Sequence, residues 1–322
     1  MRLTEEQRAL RAAVRDLLDR RSNVRAAIEC ATGYDTALWA TLCGEIGVAG
    51  LHMPVAYGGA GAGLVETCVV AAELGRTLTP CPLLGSAVLA GSALLACDDA
   101  RVCARLLPGI AGGTSLAALA FDDGGIARYV LDGDLADVLL VVDADGLYEM
   151  PVDQPGVRRT TVATLDPTRR LTTIEFDNPN RNRIGTPEAG ATALAAARVV
   201  LAAEQVGAAA ECLRRTVEYC RQRVQFGRPI GSFQALKHRL ADVYVAVETA
   251  WSAMWAAATT GDPTRTAVAA GYCGEVYRHA AAEMIQLHGG IAITWEHDAH
   301  LYFKQAHSSA HLFGPAPAVL AV

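Results

Sequence analysis

Apolar positions recur every three to four residues over 3–22, where Leu3, Leu10, Val14, Leu17 and Leu18 fall on one side and predict an amphipathic helix. Thr4 and Gln7 have the spacing of a capping box at its start. "TALWATLCGEIGVAGLHMP" reads as a second helix running into a glycine-rich turn, and helical spacing returns at about 64–77, 83–97 and 99–107. Between 114 and 177 the period changes. "SLAALAF", "ARYVLDG", "DVLLVVDADGLYEMPV" and "RLTTIEF" are short apolar or alternating runs, and Asp-Gly inside "VVDADGLYEM" marks a hairpin. From Glu188 onward the helical period resumes over 189–222, 233–259, 264–288 and about 297–312. The expected fold is mainly α with a small middle β domain. Its expected parts are an N-terminal helical domain over 1–111, a β domain over 112–186 and a C-terminal helical bundle over 187–322.

The 322 residues are 52% hydrophobic and 19% charged, enough to bury a large core. No uncharged apolar run reaches the ~18 residues of a membrane span, and "MRLTEEQRALRAAVRDLLDR" is too charged for a secretory signal. A cytoplasmic protein is expected. The nine cysteines contain no C-x-x-C pair and lie in apolar surroundings, which points to reduced thiols. Net charge is −6, and of the 28 basic residues only Lys237 and Lys304 are lysines, with no basic block that would suit nucleic acid.

The glycine-rich "YGGAGAG" (57–63) lies between helices rather than between a strand and a crossover helix. It is therefore expected to be a helix–helix turn and not a phosphate loop. "RQRVQFGRPIGSFQ" (221–234) is more informative. Gly227 and Pro229 stop one long helix, and Ser232 is placed to cap the next. The turn carries Arg223, suited to a pyrophosphate through charge-assisted bonds, and Phe226, suited to pack a base. "QLHGG" (286–290) ends the third bundle helix with two glycines that let backbone approach a ligand, beside a Gln able to read an amide or ring edge.

In this order these segments resemble the acyl-CoA dehydrogenase family over nearly the whole chain. "LTEEQRALRAAVRDLL" resembles its opening helix. "LWATLCGEIGVAGLHMPVAYGGAGAGLVETCVVAAELGR" resembles its second and third helices, while "VEYCRQRVQFGRPIGSFQALKHRLADV" and "QLHGGIAITWEHDAHLYFKQA" are the most specific matches. The resemblance implies the fold above, FAD as cofactor and α,β-dehydrogenation of an acyl-CoA. It further implies that Arg223, Gln225, Phe226, Gln234, Gln286, Gly289 and Gly290 hold the adenosine and pyrophosphate of a neighbouring subunit's FAD.

The family also needs a carboxylate base at one of two positions, and here the resemblance fails. One position falls in "HLFGPAP", where Phe313 stands. The other, before Arg198 on the first bundle helix, is Ala197. Between Leu116 and Gly185 the chain is short and lacks the family's flavin-ring segments. This combination is similar to the short subunits of bacterial α₂β₂ acyl-CoA dehydrogenases of steroid degradation. It implies a longer partner subunit that supplies the base, the ring pocket and most of the substrate site. Other readings keep catalysis here through Glu204, Glu296 or Asp298, or treat the chain as a flavin-free scaffold. His297, His300, His307 and His311 crowd the last helix, and the 307/311 spacing can bind zinc, though no further ligand stands in register.

Overall fold

The computed structural model describes residues 3–97 and 99–314. Helix α1 (Glu5–Arg21) opens with the expected capping box: the Thr4 hydroxyl accepts from Gln7 N–H at 3.2 Å while the Gln7 side chain accepts from Thr4 N–H at 3.0 Å. Short α2 (Val24–Glu29) and α3 (Thr36–Thr41) lead to the glycine turn and then α4 (Leu64–Thr77). In that turn the N–H groups of Ala60, Gly61 and Ala62 donate to the carbonyls of Gly50, Met53 and Leu51. Those donors are engaged internally, so the loop is scaffold.

Residues 83–97 depart from the single helix expected. Leu83–Ala90 winds as a π-helix before α5 (Gly91–Leu95). The wide turn brings Ser86 to Ala117, whose N–H donates to the Ser86 hydroxyl at 2.9 Å. Helix α6 (Ala100–Ala111) runs past Pro108, because Leu106, Leu107 and Ile110 carry its buried stripe onward.

Seven strands follow: β1 (Ala117–Phe121), β2 (Ile126–Leu131), β3 (Val138–Val142), β4 (Leu147–Met150), β5 (Val157–Val162), β6 (Leu171–Phe176) and β7 (Asn182–Gly185). They form a four-stranded sheet in the order β1-β3-β4-β7 and a three-stranded sheet β2-β6-β5. The β3–β4 hairpin is the one expected, its turn held by Asp143, which accepts from the N–H groups of Asp145 and Gly146. Strand alternation sends Leu119 and Leu140 into the main core, while Ala118, Ala120, Leu139 and Val141 join Ile174 and Met150 in a second core between the sheets.

The bundle consists of α7 (Glu188–Gln222), a tight hairpin of β8 (Val224–Gln225) and β9 (Arg228–Pro229), α8 (Gln234–Thr260), α9 (Pro263–His288) and α10 (Ala299–Ser309). Ser232 does not cap α8: its hydroxyl donates to the Pro229 carbonyl at 2.7 Å, and Phe233 occupies the cap position. Helix α7 has the length and apolar content of a membrane span, but 67% of its most apolar stretch is buried inside the protein. It is the central helix of the core. Its crossing with α4 is close enough to require glycine on both sides. A Cβ on Gly207 would sit 2.0 Å from the Ala72 carbonyl oxygen, and one on Gly75 would sit 2.1 Å from that of Glu204.

Candidate functional site

At the C-terminal end of α7 the chain turns through Phe226 (φ +52°) and Gly227 (φ +75°). Positive φ at both central residues is the mirror-image turn that matches hairpin twist, and a phenylalanine adopts it only under strain. The turn is braced, since Ile230 N–H donates to the Arg223 carbonyl at 2.8 Å and the Arg228 guanidinium lies 4.0 Å over the Phe233 ring. Phe226 meets Phe233 edge to face at 6.2 Å yet remains 92% exposed.

Helix α9 finishes at the same end. The Tyr219 ring of α7 stacks on His288 with centroids 4.3 Å apart, and its hydroxyl donates to the His288 carbonyl at 3.3 Å. This contact, which has no signature in sequence, brings the Q-x-x-G-G segment to the end of α7 that leads into Arg223. Gln234 begins α8 from the same side. Arg223, Gln225, Phe226, Gln234, Gln286, Gly289 and Gly290 are all exposed. A Cβ on Gly289 or Gly290 would meet nothing within 4 Å, so the backbone there is open to approach. Arg223 makes no ion pair among the described residues. A free guanidinium, an exposed ring, three amide side chains and open glycine backbone suit an anionic dinucleotide, so these residues fit the FAD half-site expected of them.

The two positions at which the resemblance leads one to expect a base lie at the other end of α7. Ala197 is fully buried, and the next residue, Arg198, donates from its guanidinium to the Phe313 carbonyl at 2.8 Å. Phe313 itself is held at φ +66° and lines an apolar groove with Leu194 and Leu119. By the 1.5 Å helical rise, Ala197 and Arg223 stand about 40 Å apart along α7.

Of the other three acids, Glu204 and Asp298 are tied to arginines. Glu204 pairs with Arg169 beside a cavity of only about 30 Å³. Asp298 accepts from Arg25 at 2.9 Å and from Arg215 at 3.4 Å, and Glu296 is exposed on a turn. Sequence reading missed the charged knot around Arg169, where β-region Asp132 and Asp166 meet Glu204 of α7. Burial pushes the Asp132 carboxyl up to about 7, with Arg169 and Arg170 opposing. The histidines are dispersed: His297 lies against His288, His300 against Trp295 and His307 against Phe303. Among the described residues no three metal-ligating side chains converge.

Residues 4–114 match the acyl-CoA dehydrogenase N-terminal domain and residues 187–316 the acyl-CoA dehydrogenase C-terminal domain. The acyl-CoA dehydrogenase IpdE2 of Mycobacterium tuberculosis is 45% identical over 96% of this chain and 93% of its own length. Among solved structures, a Tcur3481-Tcur3483 steroid ACAD shares 30% identity with TM-score 0.87, covering 98% of this chain and 96% of that one. The ChsE4-ChsE5 complex from Mycobacterium tuberculosis shares 26% identity with TM-score 0.89, covering 99% and 96%. The chain belongs to the acyl-CoA dehydrogenase family, whose cofactor is FAD.

Proposed function

We propose that this chain is the accessory subunit of a heteromeric, FAD-dependent acyl-CoA dehydrogenase that introduces an α,β double bond into a steroid-derived acyl-CoA. Its three parts are taken as 1–111, 112–186 and 187–322. The observation that carries this reading is the Arg198–Phe313 hydrogen bond. It supports the reading by joining the neighbour of Ala197 to Phe313, the two positions where the resemblance leads one to expect a base, and neither of those side chains can accept a proton. The end of α7 that carries Arg223 lies about 40 Å away, farther than one extended dinucleotide reaches. The exposed Arg223, Phe226, Gln286 and their neighbours then serve FAD held by a second, longer subunit. FAD held there would supply the acceptor for the hydride that leaves the substrate's β-carbon.

This chain's own work is to neutralise the pyrophosphate with Arg223, cover the adenosine with Phe226, and fix amide contacts through Gln225, Gln234 and Gln286. The base that removes the α-proton, and most of the acyl-CoA site, belong to the partner. The steroid ACAD and the ChsE4-ChsE5 complex support a heteromer and a steroid substrate by likeness. Nine free thiols suit the reducing cytoplasm. A self-sufficient enzyme using Glu204 is disfavoured, because that carboxylate is tied to Arg169 beside a cavity too small for an acyl chain.

The test is to purify the full chain alone and with its co-expressed longer partner, and to count flavins. The expected result is a colourless, inactive chain alone and a yellow, active tetramer carrying two FAD. A homo-oligomer with one tight FAD per chain and normal turnover would overturn the reading.

A further inference from the structure

The glycines of the Q-x-x-G-G segment open a loop whose two ends are tied together. The chain leaves α9 at Gly289, whose φ of +68° glycine enters without strain. It winds through a 3₁₀ stretch over Gly289–Ile293 and returns at His297. There the rings of Tyr219, His288 and His297 form a ladder, with centroids 4.3 Å and 4.7 Å apart. Backbone orients both histidines of this neck. The Nδ1–H of buried His288 donates to the Met284 carbonyl at 2.8 Å, and His297 Nδ1 accepts from the Ala299 N–H at 3.0 Å. Compact loops closed at the neck in this way are frequently functional.

Beside the neck stands Asp298, and its two oxygens go to different parts of the fold. Arg25 of α2 donates from Nε to Oδ1 at 2.9 Å, and Arg215 of α7 donates to Oδ2 at 3.4 Å. Arg215 is itself held by buried Glu211, which accepts from its Nε at 2.8 Å. Arg25 also donates to the Trp295 carbonyl and lies 5.9 Å over the Trp295 ring. One guanidinium from the N-terminal helices thus grips the loop at two points.

Packing does little to shape the loop between its ends. Ile293 and Trp295 are exposed by 72% and 60%, and over 289–296 only Ala292 is buried. A segment with so few buried contacts opens easily unless its ends are held.

We infer that Arg25 is a positioning residue: by clamping Asp298 and the Trp295 carbonyl, it holds the loop in the shape that presents the Gly289–Gly290 backbone to an anionic dinucleotide. The inference rests on the reading of the Arg223 end as an FAD half-site, and it makes an N-terminal helix part of that half-site's support. Loss of the clamp leaves Arg223, Phe226 and the glutamines in place but lets the loop leave its binding shape. Apparent affinity then falls in proportion to the population that remains competent.

The test uses the co-expressed heteromer carrying Arg25→Ala, Arg25→Lys or Arg223→Ala. Arg25→Ala should raise the FAD concentration for half-saturation, read by flavin fluorescence, about ten-fold, as when about a tenth of the loops stay competent. Arg25→Lys, the second variant should the first fail to assemble, keeps the charge but lacks the planar fork that reaches two acceptors, so its affinity should lie between. In flavin-stripped heteromers, amide hydrogen exchange over 289–298 should quicken at least about five-fold in Arg25→Ala and keep the wild-type rate in Arg223→Ala. Wild-type FAD affinity in Arg25→Ala would overturn the inference. If Arg223→Ala binds weakly in that same assay the half-site stands, and if it does not the half-site falls too. Weak affinity in Arg25→Ala without faster exchange would also overturn the inference, because the effect would then not pass through the loop.

Discussion

Arg198 donates its guanidinium to the carbonyl of Phe313 at 2.8 Å, joining two residues 115 positions apart in the chain. Arg198 follows Ala197, and Phe313 stands in the loop after α10, so one hydrogen bond joins the two stretches where the resemblance leads one to expect a base. The bond also holds Phe313 at φ +66°, a conformation it would not adopt unaided. Arg198→Ala should therefore cost about 1.5 kcal/mol of stability, the lower end for a hydrogen bond from a charged group because the site is only half-buried. A denaturant midpoint unchanged within error would show that the loop is held by packing alone.

Putting an acid back should not restore chemistry. Phe313→Glu in the isolated chain is expected to show no dehydrogenation, because a carboxylate there has no flavin ring beside it and loses hydration among leucines. In the heteromer the same change should leave kcat nearly untouched. Glu204→Gln, Glu296→Gln and Asp298→Asn should likewise spare kcat, whereas losing a true base costs ~10²–10⁴-fold. A drop of that size in any of the three would place catalysis in this chain.

Arg223→Ala should lower flavin retention by the heteromer. The pyrophosphate loses a charge-assisted partner worth about 1.5–3 kcal/mol, so the flavin-to-protein ratio after dialysis should fall and added FAD should partly recover activity. Unchanged occupancy would mark Arg223 as a helix-end residue only.

Gly207→Ala should be among the most damaging single-methyl changes in the molecule. The new carbon would lie 2.0 Å from the Ala72 carbonyl oxygen, and backbone on both helices would have to separate. A loss of about 2–3 kcal/mol, or failure to accumulate folded protein, is expected. Thermal unfolding of the variant beside Gly290→Ala, where a Cβ meets nothing within 4 Å, provides the internal control.

Asp132 should make stability fall as pH rises. Burial lifts its folded-state value to about 7, above the unfolded carboxyl. Folding therefore favours the protonated form: its contribution is complete below about pH 4 and is lost as pH climbs through 7. Asp132→Asn, which tolerates the φ of +52° at this position, should flatten that slope and stabilise the protein by about 1–2 kcal/mol at pH 8. An identical slope in the variant would assign the pH dependence to other groups.

Much of the architecture was readable from local pattern. The capping box at Thr4 and Gln7, the Asp-Gly hairpin and the long bundle helices depend on spacing among near neighbours, which a chain displays directly. The R-x-x-F-G and Q-x-x-G-G segments were likewise visible as an unusual mixture of cation, ring and glycine. What they could not show is that Tyr219 stacks on His288 and so brings the two segments to one end. Other features also depended on partners far along the chain. Glu204 was only a spare acid until Arg169 came against it, and Ser232 looked like a helix cap until its hydroxyl found the Pro229 carbonyl. The strain at Tyr129 and Phe313 has no local signal, since both residues ordinarily avoid positive φ. Local propensity sets helices and turns through neighbours a few residues away. Burial, ion pairing and imposed backbone strain arise only when distant segments are packed together, and they decide which acids are free and which are tied.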